Sequence, residues 1–353
     1  METWAPLLLA DPSVCLRYLV LRDLIPPPDN DSEERARWAE ELRELEGMRE
    51  TDPLIADTLA LQEPDGSWGR NRVLGLGLGD RVRTTAQALT RLSYLGFGRE
   101  HPVVERGVEY LYSQQRRDGA WPLPKSREEN EEGEGYSMMP LQTAFPLRGL
   151  VACGYATDPR SERAFEWLLD QRLPDGAWPT GIASGNYGYV AGYRKLAHSR
   201  WGCRSNTTGA LICLAAHPER RKSQEVRRGL DLLLGRETKE KHTLGVEIAR
   251  LIGAEPARGF LTYFARFDLG LILDLCWRVG ASLDDQRVAD VVAFVQDVQG
   301  PYGLWEYPNR PQAARWVSFD LLRSLSRLDQ STGWISMEPR TPFQTYGKRH
   351  RRY

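Results

Sequence analysis

Apolar residues recur along this chain at helical rather than strand spacing. Over 84–95, Ala88, Leu89, Leu92 and Leu95 fall on one stripe, and over 141–153 Leu141, Ala144, Leu147 and Val151 do the same. Steps of three and four residues put such positions on one face of an α-helix. The same rule predicts helices near 31–46, 101–115, 160–171, 206–216, 223–234, 268–279, 286–297 and 313–328. The first of these opens on Asp31-Ser32-Glu33-Glu34, an acidic first turn with capping residues, and is expected to stop at Gly47. Alternating patterns that would signal strands are sparse.

One short pattern returns between these helices. It reads QEPDGSW at 62–68, QRRDGAW at 115–121, QRLPDGAW at 171–178 and QGPYGLW at 299–305. The first glutamines are 53 and 56 residues apart, and the last gap of 128 is about two such units. A returning element of that period marks a repeat architecture. Two helices per unit leave room for six helical hairpins. A fourth copy is due near 229–242, where LLLGRETKEKH keeps the helix but loses the Asp-Gly and the Trp. An open solenoid needs polar capping repeats. The last helix, with Leu321, Leu322, Leu325 and Leu328, is not such a cap, so a closed ring is predicted. The motif itself reads as a clasp. Gln pairs with backbone groups left open at a helix end, Asp-Gly makes a sharp turn, and Trp covers the junction.

These motifs resemble the QW repeats of the terpenoid cyclase and protein prenyltransferase superfamily. The resemblance covers roughly residues 50–330. It implies an all-α fold, an α/α toroid of about six helical hairpins in two concentric rings around a central cavity. The expected organisation is one toroid domain over 1–335 and a basic tail over 336–353. The chain is also similar to bacterial proteins of like length built on prenyltransferase or squalene-cyclase repeats. That narrower likeness rests on Ser13-Val14-Cys15-Leu16-Arg17-Tyr18-Leu19, on Phe267-Asp268-Leu269-Gly270-Leu271-Ile272-Leu273 and on Ala314-Arg315-Trp316-Val317. It implies no particular activity.

Composition narrows the partners. The 353 residues are 41% apolar, enough for a large core, and 47 basic against 48 acidic residues leave a net charge of −1. Bulk charge therefore argues against nucleic acid as a partner and leaves peripheral membrane contact open. Lys348-Arg349-His350-Arg351-Arg352 is short and reads as a solvated terminus. The cysteines Cys15, Cys153, Cys203, Cys213 and Cys276 are odd in number and widely spaced, which suits reduced thiols in a cytoplasmic protein. Glu2 and the short run Leu7-Leu8-Leu9 do not make a secretory leader. No stretch approaches the roughly 20 apolar residues of a membrane span.

The resemblance implies three kinds of chemistry, and each finds only part of its motif. Class II cyclases protonate an alkene with an Asp of a DxDD motif. Here Ser282-Leu283-Asp284-Asp285 lacks the first Asp and precedes a helix. In Asp80-Arg81-Val82-Arg83-Thr84-Thr85-Ala86, Asp80 is one residue out of register, and Arg81 and Arg83 stand where acids would help. Those arginines either fork onto a diphosphate or carboxylate or open a solvated helix. Class I ionisation holds Mg²⁺ on DDxxD, and no such pentapeptide occurs; Mg²⁺ itself stays open as a cofactor. Prenyltransferases bind Zn²⁺ through Asp-x-Cys and a later His. Asp274-Leu275-Cys276 supplies the pair, but the only later His is His350, so Zn²⁺ is disfavoured. The narrower likeness places a Cys/His segment near Gly202-Cys203-Arg204-Ser205-Asn206-Thr207, where no His occurs, although His198 precedes it. HExxH, P-loop, GxSxG and GxGxxG motifs are also absent.

Asp268 opens an apolar helix expected in the inner ring, where it either caps that helix or points to the cavity rim. In an apolar cavity its pKa would rise and it would serve as an acid or base. Two loops frame a candidate entrance. The first, 122–140, carries Glu128-Glu129-Asn130-Glu131-Glu132-Gly133-Glu134; the second, 181–203, carries Tyr187, Tyr189, Tyr193 and Trp201, whose π faces suit a carbocation. The leading expectation is an isoprenoid-type enzyme that holds a prenyl chain in a central apolar cavity and cyclises or transfers it. Asp268 and Asp80 are its candidate catalytic residues, with Arg81, Arg83, Tyr187, Tyr189 and Trp201 as substrate contacts. A non-catalytic toroid that binds an apolar ligand remains open. So does a carbohydrate-active enzyme, which needs paired carboxylates in a polar cleft.

Overall fold

A computed structural model describes residues 3–29, 33–71, 75–76, 80–121, 139–183, 186–235, 242–257, 259–308 and 310–328. The acidic run 128–134, the basic tail, Asp31-Ser32 and residues 236–241 lie outside them. Fourteen α-helices occur among the described residues. The first four are α1 Ala5–Leu9, α2 Val14–Asp23, α3 Glu33–Met48 and α4 Pro53–Ala60. There follow α5 Arg81–Tyr94, α6 Pro102–Ser113, α7 Pro140–Ala152, α8 Pro159–Asp170 and α9 Arg204–Ala216. The last five are α10 Gln224–Leu234, α11 Val246–Leu251, α12 Leu269–Val279, α13 Gln286–Asp297 and α14 Ala314–Leu328. Two short bridges complete the list. β1 Ile182–Ala183 pairs antiparallel with β2 Asn186–Tyr187, and β3 His242–Thr243 pairs parallel with β4 Phe267–Asp268.

The helices start where the sequence supplies caps. Ser13, Asp52, Asp80, Asp158, Ser223, Asp268 and Asp285 each accept a hydrogen bond from a first-turn N–H of the helix they precede. Proline stands in the first turn of α1, α4, α6, α7 and α8, where its missing N–H costs nothing. Helix α3 runs past Gly47 to Met48, because the glycine sits on an exposed face with open space around it.

Burial sorts the helices into two rings. α7 and α9 are buried nearly all round, as expected of helices enclosed by protein. α5 packs on α7, α7 on α9, α9 on α12, α12 on α14 and α14 on α2, giving the inner ring. The outer helices bury one stripe each, such as Val104, Val108 and Leu111 of α6 or Val288, Val291 and Val295 of α13. The ring closes where the chain's start meets its last hairpin: Thr3 Oγ1 donates to the Tyr302 carbonyl at 3.3 Å, and Arg315 reaches Asp11 at 3.0 Å. This is the all-α toroid expected from the repeats.

Each repeat is a clasp with fixed bonding. The indole Nε1 of Trp68, Trp121, Trp178 and Trp305 donates to the carbonyl ten residues earlier, on Thr58, Leu111, Leu168 and Val295. Those carbonyls lie in the last turns of α4, α6, α8 and α13, and on Leu111 and Leu168 the indole adds to a backbone N–H from Gln114 and Gln171. The Trp backbone N–H donates to a hydroxyl on the next inner helix, from Thr85, Thr143, Thr207 or Ser318. Glutamine does a different job from the one expected. Gln115 Nε2 donates to the Gly119 carbonyl of its own turn and to the Arg160 carbonyl of α8, both at 2.9 Å. Gln62 joins its turn to Val103 of α6 in the same way. Trp thus ties a hairpin to itself, and Gln ties it to its neighbour. Gly119 has φ +93°, and a Cβ there would lie 2.4 Å from the Arg163 carbonyl oxygen, so the turn packs directly on α8.

The clasp fixes an order of costs. Trp121→Ala removes a side chain that is 1% exposed together with its hydrogen bond, and costs about 3–5 kcal/mol. Gln115→Ala removes one bond within its turn and one to the neighbouring hairpin, and costs about 1–3 kcal/mol. Urea unfolding monitored by circular dichroism checks both, with the tryptophan variant expected to be the less stable.

Candidate functional site

The missing fourth clasp leaves α10 and α12 joined by a long segment, and that segment enters the ring. It carries α11, which lies against α5, α12 and α14. The β3–β4 bridge sets Thr243 beside Asp268. The Asp268 carboxylate then collects three backbone donors. Oδ1 accepts from Gly245 N at 2.7 Å and Gly270 N at 3.3 Å, and Oδ2 accepts from Glu247 N at 2.7 Å. One carboxyl group therefore holds the N-terminal ends of both α11 and α12, satisfying donors that those ends leave open. At the other end of α11, the buried Arg91 donates through Nε to the Leu251 carbonyl at 2.5 Å. Asp268 caps its helix and also lines the cavity.

That cavity holds about 370 Å³ between α5, α7, α9, α11, α12 and α14. Part of its wall is aliphatic, with Val151, Ile212, Ile248, Leu251 and Leu271. Among the described residues the rest carries four arginines, Arg22, Arg148, Arg278 and Arg323, and four carboxyl groups, Glu247, Asp268, Asp274 and Asp320. The expected apolar cavity is thus corrected to an amphiphilic one. Most of the charges are paired: Arg148 of α7 with Glu247 of α11 at 2.5 Å across the cavity, and within single helices Arg278 with Asp274 at 2.8 Å and Arg323 with Asp320 at 2.5 Å. Arg22 pairs with Asp23 at 2.6 Å. Isolated charges on these helices read as solvent-facing along the sequence, but the ring turns them inward on each other.

The pairing is incomplete among the residues that line the cavity. Glu247 is 3% exposed, yet its Oε2 has no hydrogen-bond partner. The Tyr94 hydroxyl and Arg323 Nε are also unpartnered. Buried polar atoms are rarely left so. Burial pushes Asp268 up from 3.8 to about 7 against its backbone hydrogen bonds. Burial also raises Asp320. Arg323 pulls it back, and the negative charge of Asp274 adds to the rise. Burial opposes ionisation of Asp274 too, but the Arg278 guanidinium overrides it and holds the group low. Two neighbouring carboxyl groups are therefore driven apart, one ionised and one inclined to keep its proton, the pattern that separates an acid from a base.

The other sequence candidates lie elsewhere. Asp80 caps α5 and binds Arg83 through N and Nε at 2.8 Å. Arg83 lies 4.3 Å from the Phe260 ring, and Arg81 reaches Asp65 and Ser67 at the surface. Tyr187 and Trp201 are 5.9 Å apart in a tilted ring contact, with Trp201 36% and Tyr189 80% exposed. None of these six lines the central cavity. Sequence reasoning missed Glu247, Asp274 and Asp320 as cavity groups, and with them Arg148, Arg278 and Arg323. The one available signal was charge inside otherwise apolar inner-ring helices. No group of three or more His, Cys, Asp or Glu side chains is placed to hold a metal among the described residues. All five cysteines are free and buried, and no helix among those residues is long and apolar enough to cross a membrane.

Fold and repeats define a terpenoid-cyclase-type toroid. The chain belongs to the squalene-hopene cyclase C-terminal domain family, whose profile matches residues 22–200. It is 28% identical over 209 residues to a squalene-hopene cyclase of Bradyrhizobium diazoefficiens, covering 54% of this chain and 30% of that protein. It is 27% identical over 166 residues to a probable squalene-hopene cyclase of Sinorhizobium fredii, covering 44% and 24%. Its structure is similar to that of the type II terpene cyclase MstE from Scytonema in complex with geranylgeranyl dihydroxybenzoate. That likeness has a TM-score of 0.46 and 17% identity, covering 79% of this chain and 74% of the other. The chain spans less than a third of these two curated relatives. The family match holds the first three clasps and ends before Glu247, Asp268, Asp274 and Asp320.

The buried Arg148–Glu247 pair gives a direct test of the site's electrostatics. Arg148→Met leaves Glu247 buried and uncompensated and costs about 3–5 kcal/mol. Arg148→Met with Glu247→Leu recovers most of that loss. A double-mutant cycle by urea unfolding checks the sign.

Proposed function

We propose that this protein is an isoprenoid-type enzyme of the terpene cyclase class that works by acid catalysis in the central cavity. The observation that carries the reading is the half-buried Asp274 and the buried Asp320 lining one cavity beside an aliphatic wall, the first held low by Arg278 and the second raised by burial. Membership of the squalene-hopene cyclase C-terminal domain family supports the substrate class. The amphiphilic lining favours a substrate with an apolar body and a polar end, and about 370 Å³ lies within the range of small-molecule pockets.

Asp320 is the proton donor: among the described residues its side chain accepts only from Arg323, at Oδ1, and Oδ2 has no donor. It gives its proton to an alkene carbon. The alkene electron pair forms the new C–H bond and leaves a cation on the neighbouring carbon. Arg323 stabilises the Asp320 carboxylate that remains, and the Tyr94 ring offers a π face to the cation. Ring closure, then loss of a proton to a cavity carboxylate, ends the reaction. Arg148 and the open Oε2 of Glu247 receive the polar end. Asp268 is the second group able to carry a proton near neutrality.

The four carboxyl groups also favour a second reading, a carbohydrate-active enzyme on the same toroid.

Incubation with farnesyl, geranylgeranyl and squalene-type substrates, with and without Mg²⁺, tests the first reading against oligosaccharides as the second arm. Turnover of a prenyl substrate is expected at acidic to neutral pH. It should fall as pH rises, because the donor must be protonated and its pKa is raised. Asp320→Asn should lower kcat by about 10²-fold or more with the fold intact by near-UV circular dichroism. Absence of both turnover and binding across the prenyl panel would sink the reading, and hydrolysis of an oligosaccharide would replace it.

A further inference from the structure

A second pocket, of about 680 Å³, lies across α11 from the central cavity. Val246 and Arg250 face it, whereas Glu247, Ile248 and Leu251 face the first. Its charge is one-sided. Among the described residues its wall holds Arg204, Arg250, Arg266 and Arg310 against a single acid, Glu255.

Two of these arginines are deep, Arg204 at 5% and Arg250 at 9% exposure. Arg204 donates to the carbonyls of Ala265 at 3.0 Å and of Tyr193 and Lys195 at 3.4 Å. Arg250 donates to the Tyr263 carbonyl at 2.5 Å and lies 4.4 Å from the Tyr263 ring centroid. Carbonyls and a ring orient a guanidinium without neutralising it. None of the four is ion-paired to a carboxylate among the described residues. Arg250 Nε and His242 Nδ1 are buried with no hydrogen-bond partner. A buried cation without a counter-charge is costly. The central cavity avoids that cost by pairing its arginines, and this pocket does not.

We propose that the pocket is a binding site for a phosphate-bearing ligand, with Arg204 and Arg250 at its floor and the exposed Arg266 and Arg310 at its mouth. Guanidinium forks match phosphate oxygens bidentately. Arg250 Nε and His242 Nδ1 supply further polar atoms with nothing else to bind. The volume exceeds that of one phosphate group and leaves room for an organic portion. The site stands independently of the chemistry in the central cavity.

Calorimetric titration with inorganic pyrophosphate and with ADP tests this. Both are expected to bind saturably, and more weakly as salt rises. Tighter binding of ADP marks an organic phosphate as the ligand, and tighter binding of pyrophosphate marks the free anion. Arg266→Gln with Arg310→Gln removes only exposed side chains and should weaken either probe at least about tenfold, two charge-assisted contacts being lost. Arg37→Gln with Arg43→Gln, on the exposed face of α3, should leave affinity unchanged. The proposal is overturned if neither probe saturates at millimolar concentration. It is equally overturned if the pocket variant binds like wild type, or if the α3 control weakens binding as much.

Discussion

Three backbone N–H groups from two helices converge on one buried carboxylate, and the interior of the ring depends on that convergence. Asp268 takes donors from Gly245, Glu247 and Gly270. Without an acceptor there, the first turns of α11 and α12 would bury unsatisfied donors side by side, each costing free energy comparable to a lost hydrogen bond. With it, the segment that replaces the fourth clasp is fixed across the centre. That segment divides the interior. One side is the charge-balanced cavity of Arg148, Glu247, Asp274, Arg278, Asp320 and Arg323, and the other is the basic pocket of Arg204 and Arg250.

The clasps and the centre do separate work. Four tryptophans, each tied to a helix end ten residues back, hold the hairpins. They act on backbone groups and leave the cavity wall free to vary. This explains how a chain can share the toroid of the squalene-hopene cyclase C-terminal domain family over residues 22–200 and yet carry its cavity acids beyond that stretch. The clasp fixes a scaffold, and the chemistry comes from single charges on inner-ring helices.

Much of the scaffold was legible in the sequence. Helix ends predicted from stripes and caps, such as 286–297, coincide with α13, and the loss of the repeat near 229–242 marks where the chain enters the ring. Asp268 stood out because it precedes an apolar helix. The other cavity groups were not legible: Arg148 and Glu247 are 99 residues distant, and Asp274–Arg278 and Asp320–Arg323 have the spacing of ordinary surface pairs on a helix. A lone charge in an apolar helix looks the same whether it meets water or a partner across a ring. Only closure of the ring distinguishes the two, and the amphiphilic cavity follows from it.

The central claim is that this cavity keeps a carboxyl group protonated near neutral pH. Infrared difference spectroscopy across a pH titration observes the protonated carboxyl stretch directly. The account predicts buried carboxylic acid bands at low pH, one lost as pH rises through about 7 and absent in Asp268→Asn, and one lost near 6 and absent in Asp320→Asn. A fully ionised carboxylate set above about pH 5, with no such band in the wild-type protein, would contradict it, because unperturbed carboxyl groups titrate near 4.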